Sequence, residues 1–214
     1  MKRLYLVRHA QTDWNQGNRI QGSSDIPLSA LGQQQARQLG RYFASSHLRN
    51  MVTSPLVRSQ QTGAAILAGN GHGVVPVVRE ALAEMHLGAW EGLTPEEVDA
   101  QFAGAYARWR RQPSAVTIPG AEPFERFQRR VREVFGHVIQ HIGDGEHVVV
   151  SHGGVIACVL ADLFEATYDA VLRRMRLDNA GVTALECGEG TPHVLWVNDT
   201  AHLEGLPHEG VGWF

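Results

Sequence analysis

Residues 148–150 are three consecutive valines, and they form a strand-length segment without a polar position. Because side chains alternate between the two faces of a strand, such a segment has to be covered on both faces, as in the parallel sheets of α/β proteins. Further strand candidates alternate with helical segments, and they lie at residues 4–7, 51–53, 74–78, 182–185 and 194–197. The alternation predicts a three-layer α/β/α sandwich with a largely parallel central sheet.

Helix positions are indicated by apolar periodicity and by capping residues. Ser29 is a suitable N-cap for an apolar stripe that runs to residue 45, and another helix is expected at residues 57–68. Residues 94–97 (TPEE) have capping-box spacing with proline at the first helical position. The clearest amphipathic pattern covers residues 124–142. The polar, glycine-containing residues 8–25 are instead expected to form a loop in which a site could open.

Length and charge narrow the class of protein. The 214 residues, of which 43% are hydrophobic, suit a single domain over residues 1–214. The formal charge of −3 lacks the basic excess typical of nucleic-acid binding, so an anionic ligand has to be met by individual arginines. We expect a cytoplasmic chain without signal peptide or membrane span, because its apolar runs are short. Cys158 and Cys187 are expected to be reduced thiols rather than a disulfide framework.

Two strand candidates deliver a histidine at their carboxyl ends. His9 follows the apolar residues 4–7, and His152 follows the valines and Ser151. In open α/β sheets, ligands bind in the crevice outside the carboxyl ends of the strands. A third strand leads through a Ser-Pro pair to Arg58 in the same topological position. Each residue alone is better explained as structural or surface-exposed, and their joint placement is what indicates a site.

The mixture of arginines and histidines favours an oxyanion over a metal ion. Two histidines by themselves would suggest a metal site, which is the alternative. Guanidinium groups, however, stay charged and repel a cation, and each can donate two parallel hydrogen bonds to phosphate oxygens. The chain has no P-loop motif, and the HGG segment at residues 152–154 has no G-x-S-x-G partner for a lipase-type site. Histidine is therefore the candidate nucleophile.

Four motifs occur in order along the chain: LVRHAQT at residues 6–12 with Asn15, TSPLVRSQQT at residues 53–62, EMHLGAWEG at residues 84–92, and SHGG at residues 151–154. Together they resemble the histidine phosphatase (phosphoglycerate mutase-like) superfamily. One of these motifs alone would be weakly specific, whereas the ordered set of four is highly specific.

The resemblance implies a role for each site residue. His9 is the phosphohistidine nucleophile, Glu84 is the proton donor, and neither a metal nor another cofactor takes part. The other site residues hold the phosphoryl group or line its pocket, and they are Arg8, Arg58, His152, Asn15, Gln21, Gly22 and Gly153. For these roles His9 has to be neutral, with its second ring nitrogen hydrogen bonded, and Glu84 needs a raised pKa to hold a proton near neutral pH.

Two motifs favour a phosphatase over a mutase. Mutases of the superfamily carry tyrosine at the position of Leu87 and an AHGNS-type segment at the second histidine, where this chain has SHGGV at residues 151–155. The GAWEG segment at residues 88–92 resembles α-ribazole phosphatases and broad-specificity phosphatases. We therefore predict a metal-independent phosphomonoesterase that acts on small phosphorylated metabolites. The alternatives are mutase-type phosphoryl transfer and a non-catalytic module that binds phosphorylated ligands.

An insert at about residues 85–123 is expected over the site. Arg108, Arg110 and Arg111 lie in it and could contact a second acidic group of the substrate or occupy a solvated helix face. Its residues 119–123 (PGAEP) depart from the PGGES of related phosphatases.

The tail at residues 198–214 begins like the NDTxHL ending of the superfamily. Its last two residues, Trp213 and Phe214, supply apolar surface that could cover the crevice. The resemblance also leaves a homodimer open.

Overall fold

The computed structural model describes residues 1–207 and contains a six-stranded sheet in the order β3-β2-β4-β1-β5-β6. The strands are β1 (Lys2–Arg8), β2 (Leu48–Thr53), β3 (Val77–Val78), β4 (Gly145–Ser151), β5 (Val182–Cys187) and β6 (His193–Asp199). Strands β3, β2, β4 and β1 pair in parallel, whereas β5 runs antiparallel to both β1 and β6. The predicted α/β class with a largely parallel sheet is confirmed.

The α-helices of the described chain lie between β1 and β5 in sequence. They are α1 (Asp13–Gln16), α2 (Ala30–Tyr42), α3 (Val57–Asn70), α4 (Pro95–Gln101), α5 (Ala105–Trp109), α6 (Phe124–His141), α7 (Gly153–Leu163) and α8 (Tyr168–Arg174). Short 3₁₀ turns occur at Glu80–Leu82, Gly88–Trp90, Pro113–Ala115 and Ala201–Leu203. The predicted caps of α2 and α4 are present, since Ser29 accepts from the α2 backbone and Thr94 forms a capping box with Glu97.

Helices cover both faces of the sheet because its central strands are apolar on both sides. Leu6 and Val149 belong to one buried cluster, which includes Phe127 of α6 and most of α7. Val7 and Val150 point to the opposite face and pack with apolar residues of α2 and α3. The alternation of side chains along each strand thus produces the three layers.

Local structure differs from the sequence-based expectation in the loop after β1, at the third strand and at two short helices. The expected loop at residues 8–25 contains α1, which is held by a capping box between Thr12 and Asn15. The third strand is confined to Val77–Val78 instead of residues 74–78, because Pro76 has no N–H to donate to β2. Apolar periodicity also did not indicate the short helices α5 and α8.

Residues 85–123 build their own small cluster of buried side chains beside the sheet. Trp90 is at its centre, with Leu87, Tyr106 and Trp109 around it. The cluster includes Ile20, so this segment packs directly on the loop that follows β1.

Several smaller expectations can be compared with the structure. Cys158 and Cys187 are free thiols, and both are buried. Within residues 1–207, no helix is both long enough and apolar enough to cross a membrane. Trp213 and Phe214 lie outside the described residues.

Candidate active site

The carboxyl ends of β1, β4 and β2 bring the predicted site residues to one edge of the sheet. Arg8, the last residue of β1, pairs with Ser151, the last residue of β4. His9 therefore leaves β1 beside His152, and the two ring centroids are 5.1 Å apart. The His9 backbone N–H donates to the Ser151 carbonyl at 2.9 Å, and this hydrogen bond anchors His9 to β4.

His9 has the protonation pattern of a nucleophile. Its Nδ1 lies 2.8 Å from the Ala10 carbonyl oxygen, which can only accept, so Nδ1 carries the hydrogen and Nε2 keeps its lone pair. Burial lowers the pKa of His9 well below its ordinary value, and the charges of Arg58 and Arg8 lower it further. The ring is therefore neutral near pH 7, as the sequence-based argument required.

His152 is oriented by a serine that follows β2. The Ser54 hydroxyl lies 2.7 Å from His152 Nε2, and the Ser54 oxygen also accepts the Leu56 N–H at 3.2 Å. Burial lowers the pKa of His152 well below its ordinary value, followed by the effects of Arg58, His9 and Arg8. The other ring nitrogen, Nδ1, is a buried atom without a hydrogen-bond partner within residues 1–207.

Arg58 lies near both histidines on the first turn of α3. Its terminal nitrogens donate to the carbonyls of Gly22 at 2.8 Å and Ser24 at 2.6 Å. Burial lowers the pKa of Arg58 to about 10, which leaves the guanidinium charged at neutral pH. Its Nε is buried and makes no hydrogen bond in the described part of the chain. The backbone of the loop after α1 thus fixes the terminal nitrogens of the Arg58 guanidinium, and the Nε–H remains available as a donor.

Arg8 is held at the same edge of the sheet by the segment between α8 and β5. Its guanidinium donates to the Leu177 carbonyl, in the segment that leads into β5. Gly153 starts α7 directly beside this group, since a Cβ on Gly153 would lie 3.5 Å from Arg8 Nε. Burial lowers the pKa of Arg8, while the charges of Glu84 and Asp178 act in the opposite direction.

Two amide side chains present further donors. The Asn15 carbonyl oxygen accepts from the Thr12 N–H at 3.0 Å, and the Gln21 carbonyl oxygen accepts from the Thr12 hydroxyl at 2.8 Å. Their amide nitrogens are buried, and no residue of the described chain accepts from them. Gly22 has a φ of +52°, and a Cβ there would lie 2.2 Å from the Glu91 carboxylate. Glycine therefore suits this turn both in conformation and in space.

Glu84 is a buried carboxylate at the same site. One oxygen accepts from the Met85 N–H and the other from the Gly154 N–H, each at 2.9 Å. Burial raises the pKa of Glu84, although these two hydrogen bonds and the charge of Arg58 act against the rise. A group of this kind can hold a proton at a higher pH than an exposed glutamate, as the sequence-based argument expected.

Together, these residues form a buried cluster that presents donors and positive charge. Buried polar nitrogens without a hydrogen-bond partner are rare in folded proteins, and in this cluster they occur on four side chains: Asn15, Gln21, Arg58 and His152. An oxyanion would satisfy them, whereas a cation would be repelled by the two arginines. Within residues 1–207, no group of three or more His, Cys, Asp or Glu side chains could hold a metal ion.

Sequence reasoning missed three supporting residues. Ser54 fixes the ring of His152, and its Ser-Pro position after β2 was a usable signal. Asn179 donates to the His9 carbonyl at 3.1 Å and to Asn15 at 3.2 Å, but nothing near it in the sequence indicated this contact. Arg130 reaches the backbone of the Glu84 segment from α6, where the pattern indicated only an amphipathic helix.

The three arginines of the insert remain outside this cluster of contacts. Arg108, Arg110 and Arg111 are exposed at the end of α5. Arg108 donates to the Ala103 carbonyl at 2.7 Å, within the insert itself. Their contact with a substrate therefore stays a prediction.

The fold and this site define a known class of protein. Residues 4–200 match the model of the histidine phosphatase superfamily (branch 1), and the chain belongs to that family.

Relatives within the superfamily carry more than one description. The chain is 33% identical to a probable phosphoglycerate mutase GpmB of Yersinia enterocolitica over 95% of its own length and 96% of the relative. It is 30% identical to a mycobacterial glucosyl-3-phosphoglycerate phosphatase solved with VO3, with a TM-score of 0.83 over 94% of this chain and 100% of that one. An alpha-ribazole phosphatase from Shigella flexneri, 24% identical, shares the fold with a TM-score of 0.82 over 92% of this chain and 96% of that one.

Proposed function

We propose that this chain is a metal-independent phosphomonoesterase that uses His9 as a covalent nucleophile. The observation that carries the proposal is the pairing of a neutral His9, whose Nε2 lone pair is free, with a buried Glu84 whose pKa is raised. A nucleophile without a proton and an acid with one are the two groups that phosphoester cleavage requires.

The first half-reaction transfers the phosphoryl group to the enzyme. His9 Nε2 attacks phosphorus, the bond to the ester oxygen breaks, and Glu84 gives its proton to the departing alkoxide. Charge spreads over the three phosphoryl oxygens in this step, and positive groups fixed around them lower the barrier. Arg8 and Arg58 supply that charge, and the donors of His152, Asn15 and Gln21 complete the pocket with the Gly22 turn and the Gly153 helix start.

The second half-reaction regenerates the enzyme. The Glu84 carboxylate accepts a proton from water, the water oxygen attacks the phosphohistidine, and the N–P bond breaks to release inorganic phosphate and neutral His9. One carboxyl group therefore serves as acid and then as base. Every proton removed in one step is returned in the other, so no metal-bound hydroxide is needed.

Phosphatase activity is favoured over mutase activity by the surroundings of Leu87. This side chain occupies the position of the mutase tyrosine, and it is buried in the apolar cluster around Trp90. It offers no hydroxyl to hold a second substrate orientation. The mycobacterial phosphatase acts on a phosphoglycerate derivative, which makes phosphorylated small acids reasonable first substrates for this chain. Mutase-type transfer is the second candidate because of the GpmB relative.

One experiment tests the chemistry. The parent protein should hydrolyse p-nitrophenyl phosphate in EDTA and form an acid-labile phosphoryl label during turnover, and both should disappear in His9→Ala. Hydrolysis in the parent would exclude a binding module, and hydrolysis in EDTA would exclude a metal enzyme. Undiminished turnover in His9→Ala would sink the proposal.

A second experiment separates the two candidate activities. 3-Phosphoglycerate is supplied with and without 2,3-bisphosphoglycerate, and the products are followed by phosphorus NMR. A phosphatase releases inorganic phosphate in both mixtures, whereas a mutase forms 2-phosphoglycerate when the bisphosphate is present. A panel of phosphomonoesters compared by kcat/KM then identifies the preferred substrate.

A further inference from the structure

The guanidinium of Arg130 uses each of its five N–H donors. Arg130 lies on α6, and Nη1 donates to the carbonyls of Ala81 at 2.8 Å and Ala83 at 2.7 Å. Nη2 donates to the Glu84 carbonyl at 3.1 Å and to the Glu122 carboxylate at 2.8 Å, and Nε donates to the other oxygen of Glu122 at 2.8 Å. A planar group with five donors can hold this many acceptors in one arrangement.

The three backbone acceptors belong to the segment that carries the acid. Ala81 lies in the 3₁₀ turn Glu80–Leu82, and Ala83 and Glu84 follow it. These carbonyls accept from Arg130, whereas the Glu84 carboxylate accepts from the Met85 and Gly154 N–H groups. The backbone of the acid is therefore fixed independently of its side chain.

Glu122 binds Arg130 through both of its carboxylate oxygens. The ion pair is largely buried, with side-chain exposures of 20% for Arg130 and 12% for Glu122. The Glu122 N–H also donates to the His86 carbonyl at 2.9 Å, two residues beyond the acid. Glu122 lies in the PGAEP segment at residues 119–123, where the chain departs from related phosphatases but keeps the glutamate.

We propose that Arg130, held by Glu122, is the positioning residue that sets the Glu84 carboxyl at the correct distance for proton transfer to the leaving group. The inference rests on the proposed acid role of Glu84. Displacement of a reacting group by about 1 Å can cost on the order of 100-fold in rate, so the anchor of the acid matters for catalysis.

Electrostatics supports the same inference. Burial raises the pKa of Glu84, and the charge of Arg130 is among the effects that act against this rise. Arg130 therefore contributes to the balance between the protonated acid and the ionised base.

The test compares leaving groups in Arg130→Lys, which keeps the positive charge and loses the five-donor fork. Transfer to His9 is measured in a single turnover with p-nitrophenyl phosphate, whose leaving group needs little protonation, and with phosphoserine, whose alkoxide needs a proton. Phosphoserine cleavage should fall about 10- to 100-fold, and p-nitrophenol release less than about threefold, because only the former requires the acid. Because the lysine keeps the positive charge near Glu84, the basic limb of the kcat–pH profile should stay in place.

The matched control is Arg132→Lys on the same helix. Arg132 also makes a two-pronged contact with a carboxylate, Asp162, but it is exposed and touches nothing in the acid segment. It should slow neither substrate. If Arg130→Lys fails to fold, Glu122→Gln is the second variant, because it weakens the contact that holds Arg130. It should also slow phosphoserine cleavage more than p-nitrophenol release, by a smaller factor than Arg130→Lys.

The possible failures are distinguishable. Equal slowing of both substrates by Arg130→Lys and by Glu122→Gln, or no slowing by either variant, would overturn the positioning role. Equal slowing of both substrates by Glu84→Gln would instead refute the proposed acid. In that case the assignment of Glu84, and not only its anchor, would be wrong.

Discussion

Lowering the pH from 8 to 5 should destabilise the folded chain through its two site histidines. His9 and His152 are 2% and 0% exposed, and burial followed by the charge of Arg58 lowers the pKa of each well below the ordinary 6.5. The unfolded chain therefore binds up to two more protons than the folded chain below pH 6.5. The free energy of unfolding is undiminished above that pH and falls as the pH decreases through it.

The size of the loss follows from proton linkage. A histidine that titrates at about 6.5 in the unfolded chain and stays neutral in the folded chain lowers the free energy of unfolding by about 2 kcal/mol between pH 8 and pH 5. The pair would contribute about 4 kcal/mol, which is a large share of the roughly 5–15 kcal/mol typical of a folded domain. Glu84 has the opposite sign, because its raised pKa favours the folded state as the pH falls towards 4.5.

Urea denaturation at pH 8, 7, 6 and 5 separates these effects. The parent is compared with His9→Gln, His152→Gln and the double variant, and each protein is referenced to its own stability at pH 8. The contributions of all other titrating groups to the pH dependence of stability then cancel, to first order, between the parent and each variant. The loss between pH 8 and pH 5 should be smaller by about 2 kcal/mol in each single variant and by about 4 kcal/mol in the double variant. Parallel curves for the parent and the double variant would refute the reasoning.

Two further predictions concern the supports of the site. Gly32→Ala should destabilise the chain by about 1–3 kcal/mol, because a Cβ would lie 1.9 Å from a main-chain oxygen, whereas Gly136→Ala on α6, where the space is open, should stabilise it by about 0.5–1 kcal/mol. Thermal denaturation of the two variants measures the change in Tm, and an equal change in Tm for Gly32→Ala and Gly136→Ala would contradict the packing argument. Ser54→Ala should reduce kcat/KM about tenfold, because the 2.7 Å hydrogen bond that orients the His152 ring is lost, and steady-state kinetics measures the loss. Ser59→Ala should change kcat/KM little, because the contact of Ser59 with the same ring is long, at 3.4 Å.

Local sequence was sufficient for most of the elements that frame the site. The valines at residues 148–150 predict a doubly covered strand, and Val149 and Val150 indeed face opposite layers. The Thr94 capping box and the stripe of α6 were also readable, because both depend on residues within a turn or two of each other. Pro76 is the exception, since it shortened β3 by removing a donor that the apolar pattern does not register.

Contacts between residues far apart in the chain could not be predicted from local sequence. Asn179 meets His9 across 170 positions, and Arg130 meets the Glu84 carbonyl across 46. No periodicity or motif links such pairs, because the contact is created by the order of strands in the sheet and by the packing of α6.

The sequence by itself determined which residue types stand at the strand ends, and hence that two imidazoles and two guanidinium groups could meet around an anion, while the resemblance to the superfamily added the Glu84 carboxyl group. Only the tertiary structure decided their protonation and orientation. Burial lowers the pKa of both histidines, the Ala10 carbonyl places the His9 proton on Nδ1, and the Ser54 hydroxyl contacts Nε2 of His152. Those properties depend on which groups surround a side chain in space, and neighbours along the chain do not specify them.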